Sequence, residues 1–247
     1  MTITDNSRGT GPRVPSWAAG PPRRPRRGLV ASVVSLTGEL LITIGVLLAL
    51  FVAYSLWWTN VQANREAGRL SDHLRDSWQS GAPGALDTDG GLGFLHVPAM
   101  AQDVLVRAGT GTKVLNEGVA GFYEKPVKSA MPWDKAGNFT LAAHRDGHGA
   151  KFHNIHKIDV GDPIVFETKD TWYVYKTYAT LPETSKYNTD VLAPVPKESG
   201  REKPGRYITL TTCTPMYTSE HRYIVWGELV RTEKVDAART PPAELRD

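Results

Sequence analysis

The residues of this chain with the clearest chemical potential are one cysteine, an arginine nine positions later and a histidine upstream. Cys213 is the only cysteine among the 247 residues. It follows a β-rich stretch, 206–212, and a turn signal separates it from a second β-rich stretch, 223–230. If the two stretches pair as a hairpin, Cys213 closes one strand and Arg222 opens the next. We therefore expect thiol and guanidinium at the same end of a sheet, with His144 as a third candidate.

These residue types suit nucleophilic attack on a carbonyl carbon. A free thiol ionises near pH ~8.5, so only a small fraction is thiolate at neutral pH without help. The guanidinium of Arg222 could stabilise the thiolate, or the oxyanion that forms when sulfur attacks a carbonyl. His144 could pass a proton to a leaving amine and take one from the incoming nucleophile. Taken singly, each residue also has an ordinary structural reading, as a buried thiol or a solvated charge.

The alternation of residue types indicates which face of the first strand carries the thiol. Ile208, Leu210 and Thr212 share one face, and Cys213 lies on the other. The mainly apolar face is the predicted core. Cys213 is then expected on the face that points away from it.

Four histidines raise the question of a metal. His144, His148, His153 and His156 fall within thirteen residues. A His-Glu-x-x-His pattern and a second cysteine, which would complete familiar zinc sites, are both missing from the sequence. We predict neither a metal site nor a cofactor.

The charge distribution argues against nucleic acid as a partner. The chain carries 29 basic and 26 acidic residues, a net charge of +3. Residues 1–28 hold six arginines and one aspartate, which leaves a net charge of −2 for the rest. The basic character belongs to a short tail and not to a folded face.

A membrane segment follows this tail. Leu40 to Trp58 is a run of nineteen uncharged residues, which as a helix spans roughly 30 Å, about the thickness of a hydrocarbon core. The arginines before it predict a cytoplasmic N-terminus. A cleaved signal peptide is the alternative, but the run exceeds the usual apolar core of about 7–15 residues. We expect a single-pass protein of the cell membrane whose catalytic domain is extracytoplasmic.

The part of the chain beyond the membrane segment is predicted to be mainly β. From Phe94 to about Val235 short strand-like runs alternate with turns, and a closed β-barrel is the natural outcome. The strand-like segments 164–168 and 172–176 are separated by only three residues, beginning at Lys169, and this short connection indicates a tight hairpin. The predicted order along the chain is a basic, disordered cytoplasmic tail (1–35), a transmembrane helix (36–60), a juxtamembrane helix with a linker (61–92), the catalytic barrel (93–235) and a C-terminal tail (236–247).

The motifs resemble those of one family. The run Thr-Leu-Thr-Thr-Cys-Thr-Pro at 209–215, Arg222 nine positions after the cysteine, and Ala-Ala-His-Arg at 142–145 are similar to the sortases, above all the class E sortases of actinobacteria. The resemblance covers roughly Gly91 to Val230. It implies an eight-stranded sortase-type β-barrel with short helices, preceded by the membrane helix, and a cysteine transpeptidase.

The resemblance also implies roles for individual residues. Cys213 would be the nucleophile, His144 the general acid and base, and Arg222 the residue that holds the substrate and stabilises the oxyanion, while Thr212 would help position the substrate. The substrate would be a secreted protein with a C-terminal Leu-Ala-x-Thr-Gly or Leu-Pro-x-Thr-Gly sorting signal. Cleavage between Thr and Gly would give a thioacyl enzyme, which an amine of a peptidoglycan precursor resolves.

Two other functions remain open at this point. A membrane-tethered cysteine hydrolase would use the same three residues and release its product to water. A non-catalytic extracellular binding module would carry an incidental thiol. The hydrolase differs from a transpeptidase because water, and not an amine, resolves the thioacyl enzyme. The binding module differs because its Cys213 would not be unusually reactive.

Overall fold

The computed structural model describes residues 28–80 and 91–246. Of the predicted disordered tail (1–35), residues 1–27 lie outside the described residues, as do residues 81–90 of the predicted linker, while residues 29–35 are helical. The chain divides after Phe51 into two compact units.

The long helix α1 (Leu29–Gln79) contains 51 residues. It joins the predicted membrane helix and the predicted juxtamembrane helix, because no proline interrupts the segment. Within the described parts of the chain, α1 is the one helix long and apolar enough to cross a membrane, judged by length and composition. Its residues from Val52 onward belong to the same unit as the strands.

Eight strands form a closed barrel, which confirms the predicted mainly β, eight-stranded fold. The strands are β1 (Gly93–Val97), β2 (Gln102–Ala108), β3 (Ala120–Phe122), β4 (Gly137–Ala142), β5 (Pro163–Glu167), β6 (Thr171–Ser185), β7 (Arg206–Thr214) and β8 (His221–Lys234). Around the barrel they follow the order β1-β2-β3-β4-β7-β8-β6-β5. A short helix, α2 (Thr112–Leu115), precedes β3. Single 3-10 turns lie at Pro98–Met100, Ile155–Lys157, Asp190–Leu192, Lys197–Ser199 and Ala243–Leu245.

Both hairpins predicted from the sequence are present. β5 and β6 pair antiparallel with Glu167 opposite Trp172, so the connection passes through Lys169. β7 and β8 pair antiparallel up to Thr214 opposite His221. Local turn chemistry was sufficient to predict both connections. The pairing of β4 with β7 is parallel and joins distant segments.

The interior of the barrel is apolar and fully enclosed. Phe139 and Phe166 meet edge to face with ring centroids 4.9 Å apart. Ile208 and Leu210 are fully buried in the same cluster, as the alternation along β7 predicts. Cys213 is half-buried on the outer face. The barrel therefore turns its thiol away from its own core.

The second half of α1 packs directly against the barrel. Its buried residues follow helical spacing and form a cluster with β1, β2 and the residue before β3. The members of this cluster are Ala67, Leu70, Leu74, Phe94, Leu105 and Val119. Trp78 adds an edge-to-face contact with Phe94 at 5.5 Å between centroids. Residues 63–78 of α1 thus share a core with the barrel.

A charged cluster ties the C-terminal segment to the barrel. His96 contacts two carboxylates, with Nδ1 2.6 Å from Asp103 Oδ1 and Nε2 2.9 Å from Glu167 Oε2. Arg239 donates to the buried Glu167 at 2.7 Å, and Arg75 of α1 lies 3.6 Å from the same carboxylate. Glu167 thereby joins a strand, a helix and the C-terminal segment.

Candidate active site

Cys213 and Arg222 face each other across the β7–β8 ladder. They are paired residues, and Thr214 with His221 forms the last pair before the turn. Directly opposite residues in an antiparallel pair have Cβ atoms about 4.5–5.5 Å apart and project to the same face. The predicted juxtaposition of thiol and guanidinium is therefore present, one pair before the strand ends.

Arg222 is partly committed to the turn backbone. Its Nη1 donates to the carbonyls of His221, at 2.8 Å, and Ser219, at 3.1 Å. These two bonds fix the guanidinium at the barrel edge. Among the described residues, only Nη1 of Arg222 has a hydrogen-bond acceptor, so a bound acyl group or oxyanion would meet two pre-oriented donors, Nη2 and Nε.

His144 reaches the same edge through a parallel strand pair. β4 runs alongside β7 up to Ala142 opposite Thr211, and the amide of Ala143 donates to the Thr211 carbonyl at 3.3 Å. Parallel neighbours end at the same edge of a sheet. His144 therefore leaves β4 beside the position of Cys213, 69 residues later in the chain.

Thr212 fixes this junction from the inner face. Its hydroxyl donates to the carbonyl of Ala143 at 2.7 Å, and the residue is buried with 3% exposed. The bond ties the residue before His144 to the residue before Cys213. In this arrangement Thr212 acts on the site through the strand ends, since its hydroxyl points away from the face that carries the thiol.

The imidazole of His144 is held by an amide. Nε2 lies 2.8 Å from Asn116 Oδ1, so Nε2–H donates to the amide oxygen and Nδ1 is the basic nitrogen. The ring of His148 lies 5.3 Å away, tilted by 33°. Burial lowers the pKa of His144, the charge of His148 lowers it further, and Asp146 opposes both. At neutral pH His144 is therefore an uncharged base.

Arg145 supports the strand that carries the thiol. Its Nη1 donates to Thr214 Oγ1 at 2.8 Å and to the carbonyl of Cys213 at 3.3 Å. The side chain is buried, with 8% exposed, and lies over the ring of Tyr223 at 5.7 Å. A second fixed cation therefore lies beside the candidate nucleophile.

Tyr123 completes the outer face of the site. Its ring is half-buried directly after β3. Burial raises the pKa of Tyr123, while a hydrogen bond with the Thr211 side chain and the charge of Arg222 lower it and the charge of Cys213 raises it. The phenol is thus electrostatically coupled to both candidate catalytic groups.

A second apolar cluster is packed on the outer face beside the thiol. Ile224 and Trp226 follow Arg222 at alternating positions of β8, and both are buried under the β6–β7 connection. Val191 and Leu192 cover them, and Trp226 Nε1 donates to the Val191 carbonyl at 3.0 Å. Tyr123, Val127 and Leu181 pack against this cluster and are only partly buried, so an extended peptide on this face would meet these apolar side chains beside Cys213 and Arg222.

The loops that flank the site are linked to each other. The amide of Tyr217, in the β7–β8 turn, donates to Asp146 Oδ2 at 2.7 Å. His153 Nδ1 donates to the carbonyl of Arg145 at 3.1 Å. In residues 28–80 and 91–246, no group of three or more His, Cys, Asp or Glu side chains could hold a metal ion.

Cys213, Arg222 and His144, the three catalytic candidates predicted from the sequence, all lie at one edge of the barrel. Asn116, Tyr123 and the supporting role of Arg145 were not predicted. Asn116 and His144 are 28 residues apart. No spacing in a single sequence marks such a pair, since their meeting depends on the barrel closing.

Comparison with known proteins gives a consistent result. A family model described as the sortase domain matches residues 95–230. Sortase SrtE2 of Streptomyces coelicolor is 66% identical over 235 residues, which are 91% of this chain and 92% of that protein. Sortase SrtE1 of the same organism is 50% identical over 212 residues, covering 84% of this chain and 60% of that protein.

Solved structures agree with this similarity. The crystal structure of Sortase E1 from Streptomyces coelicolor with a tripeptide in its active site is 48% identical, with a TM-score of 0.60, over 63% of this chain and 96% of that one. The structure of sortase E from Streptomyces avermitilis is 34% identical, with a TM-score of 0.55, over 63% of this chain and 97% of that one.

Proposed function

Since the chain belongs to the sortase family, whose members are cysteine transpeptidases, we propose that Cys213 cleaves a sorting signal and transfers the protein that carries it to a cell-wall amine. The signal is Leu-Ala-x-Thr-Gly or Leu-Pro-x-Thr-Gly near the C-terminus of a secreted protein. Cleavage falls between Thr and Gly. The acceptor is an amino group of a peptidoglycan precursor.

The observation that carries this proposal is the pairing of Cys213 with Arg222 at the edge where β4 delivers His144. Acyl transfer needs a nucleophile, a group that moves protons, and donors aimed at the developing oxyanion. The three side chains supply one of each. The partly exposed side chains of Tyr123, Val127 and Leu181 beside them would give an extended peptide apolar contacts.

In the first half-reaction, the sulfur of Cys213 attacks the threonine carbonyl carbon of the signal, and neutral His144 takes the thiol proton. The carbonyl oxygen becomes an oxyanion, which the guanidinium of Arg222 stabilises. The C–N bond to glycine then breaks, and the proton on His144 passes to the departing amine. The products are a thioacyl enzyme and the free C-terminal fragment.

In the second half-reaction, the acceptor amine attacks the thioacyl carbon. His144 removes a proton from the amine and returns it to the sulfur as the C–S bond breaks. The result is a new amide bond and the regenerated thiol. Thr212 contributes to both halves by holding Ala143, and so the start of the His144 loop, against β7.

The proposed topology follows from α1 and the charges before it. We assign residues 36–60 to a single membrane span and residues 1–35 to the cytoplasm, because the arginines of the tail favour the cytoplasmic side. Residues 61–92, the barrel at 93–235 and the tail at 236–247 are then extracytoplasmic. A secreted substrate and a lipid-carried acceptor would both be available at that surface.

A product assay tests the function. The full-length chain in detergent is incubated with a Leu-Ala-x-Thr-Gly peptide, or its Leu-Pro-x-Thr-Gly counterpart, with and without a panel of amines. A transpeptidase gives an amide conjugate whose yield rises with amine concentration at the expense of hydrolysis. Cleavage without any conjugate would establish a hydrolase, and failure to cleave either peptide would favour a binding module. The Cys213→Ala variant is the control for both reactions.

A further inference from the structure

We infer that residues 60–67 of α1 are a positioning element of the active site, because they brace from one side the two loops that hold His144. The inference rests on the proposed role of His144 as general acid and base. It extends the working site beyond the barrel to a helix that also contains the candidate membrane span.

The first braced loop carries the partner of the imidazole. Asn116, which accepts from His144, lies two residues before Gly118. A Cβ at Gly118 would lie 2.8 Å from the Ala63 carbonyl oxygen of α1, so the two backbones are in direct contact there. Val119 is buried with 1% exposed in the cluster with Ala67. The loop that carries Asn116 is therefore held in place by its contacts with α1 at Gly118 and Val119.

The second braced loop carries the imidazole itself. The amide of Gly149 donates to Asn60 Oδ1 at 2.8 Å, and Lys151 Nζ donates to Asn64 Oδ1 at 3.2 Å. A Cβ at Gly149 would lie 3.0 Å from Asn64 Oδ1 and 3.4 Å from the Cα of Gly118. The helix and the two loops thus meet at a single point.

The backbone of the second loop needs such a support. Residues 147–150 all have positive φ, including His148 at 43° and Ala150 at 41°. A non-glycine residue in this region is strained and persists only where its surroundings hold it. This stretch also sets the position of His148, whose ring lies beside that of His144. Releasing the loop would alter the surroundings of the base without touching the thiol.

Losing the contacts between α1 and the two loops should reduce the rate of the catalysed reaction. Small displacements of a proton-transfer group reduce turnover, because the reactive geometry is populated less often. Binding of the peptide would be unaffected, since Tyr123, Val127 and Leu181, the partly exposed apolar side chains proposed to contact it, lie outside α1 and the two braced loops. The expected signature is a lower kcat at constant KM, together with a change in the environment of His144.

The test compares three variants of the full-length chain in detergent. Asn60→Ala combined with Asn64→Ala removes both side chains that bond the second loop. Asn60→Asp with Asn64 intact keeps an acceptor for Gly149. Asp72→Ala removes an exposed polar side chain from the same helix and serves as the matched control. The measurements are kcat and KM for amine-dependent conjugation, and the pKa of His144 by NMR titration.

In the double variant we expect kcat to fall about fivefold with KM within about twofold, and the pKa of His144 to rise towards its ordinary value as water enters. Asn60→Asp should retain most of the activity, and Asp72→Ala all of it. A double variant equal to the control in both kcat and the pKa of His144 would overturn the inference. If the double variant does not fold, Asn64→Ala alone, which loses only an exposed contact, takes its place with the same criteria.

The NMR measurement keeps this inference separate from the proposed function. If the wild-type chain forms no conjugate, the proposed function fails. The pKa of His144 then still decides whether α1 braces the loop. If the wild type conjugates normally and the double variant does so equally well, with an unchanged pKa of His144, the brace alone is refuted.

Discussion

Cys213 and Arg222 are directly opposed residues of the β7–β8 ladder, one pair before the strands separate. A hairpin keeps two such residues in register whatever the rest of the barrel does. The cation beside the sulfur is therefore built into a local element. His144, in contrast, reaches this point only through the parallel pairing of β4 with β7. The reactive pair is a local feature, and the base depends on the tertiary fold.

Replacing Arg222 should reduce turnover strongly. In Arg222→Ala the oxyanion loses its charged donors, and we expect kcat to fall about 100- to 1,000-fold. Arg222→Lys should recover little, because an ammonium cannot reproduce the planar fork. Steady-state conjugation kinetics measure both. Arg231→Ala, further along β8, controls for the loss of an arginine from this strand and should stay within about threefold of wild type.

The activity should depend on pH through His144. Burial first, and then the charge of His148, lower the pKa of His144, so its neutral form persists below the ordinary value of about 6.5. kcat/KM should therefore fall on the acid side with an apparent pKa below that value. His148→Ala removes one of the two causes and should move this acid limb to higher pH. His156→Ala, an exposed histidine nearby, should not move it, and an unmoved limb in His148→Ala would contradict the account.

The stability of the chain should depend on pH through His96. Burial lowers the pKa of His96, but the hydrogen bonds to Asp103 and Glu167 outweigh it, so the pKa is raised overall. Because the pKa of His96 is higher in the folded state than in the unfolded state, protonation of His96 adds to the free energy of unfolding. This contribution is complete below the unfolded-state pKa of about 6.5, and it is lost as the pH rises through the folded-state pKa.

Thermal unfolding at about pH 6 and about pH 9 tests this coupling. Wild type should lose more stability between the two values than His96→Gln, which cannot titrate. At the lower pH, His96→Gln should itself cost about 1–2 kcal/mol, because two charge-assisted hydrogen bonds are lost while Glu167 keeps its bond to Arg239. His73→Gln, exposed on α1, should behave like wild type. Equal pH dependence in wild type and His96→Gln would show that the cluster contributes no pH-dependent stability.

Two glycines with similar φ angles allow the cost of backbone strain to be measured separately from the cost of a steric contact with α1. Gly118 has φ of +75° and Gly200 has φ of +83°. A Cβ at Gly118 would meet the Ala63 carbonyl, whereas nothing lies within 4 Å of a Cβ at Gly200. Gly200→Ala should cost only the strain of a left-handed residue, about 1–2 kcal/mol. Gly118→Ala should cost about 1–3 kcal/mol more. Similar unfolding temperatures for the two variants would mean that α1 yields freely at this contact.

The hairpin of the site was predictable because its signals are local. The alternation through Ile208, Leu210 and Thr212, followed by a turn, specified both the register and the outward position of Cys213. The closed barrel also followed from short strands without intervening amphipathic helices. The motif around Cys213 then indicated the family, and the comparisons confirmed it.

The brace by α1 was not predictable in the same way. Ala67, Leu70 and Leu74 do form a stripe at helical spacing, which signals that some surface covers them. Which surface they meet is a tertiary property. The bond between Asn60 and Gly149 spans 89 residues. Polar pairs of this kind leave no periodic trace, because an exposed asparagine and a bonded one look identical in a sequence.

The most direct test of Cys213 as nucleophile is to capture the acyl group on it. The full-length chain is mixed with a Leu-Ala-x-Thr-Gly peptide without amine, quenched in acid and analysed by intact-protein and peptide mass spectrometry. We predict an adduct ending at the threonine carbonyl, located on Cys213, which disappears when an amine is added and is missing in Cys213→Ser. Cleavage of the peptide with the adduct on another residue, or with undiminished rate in Cys213→Ser, would contradict the account.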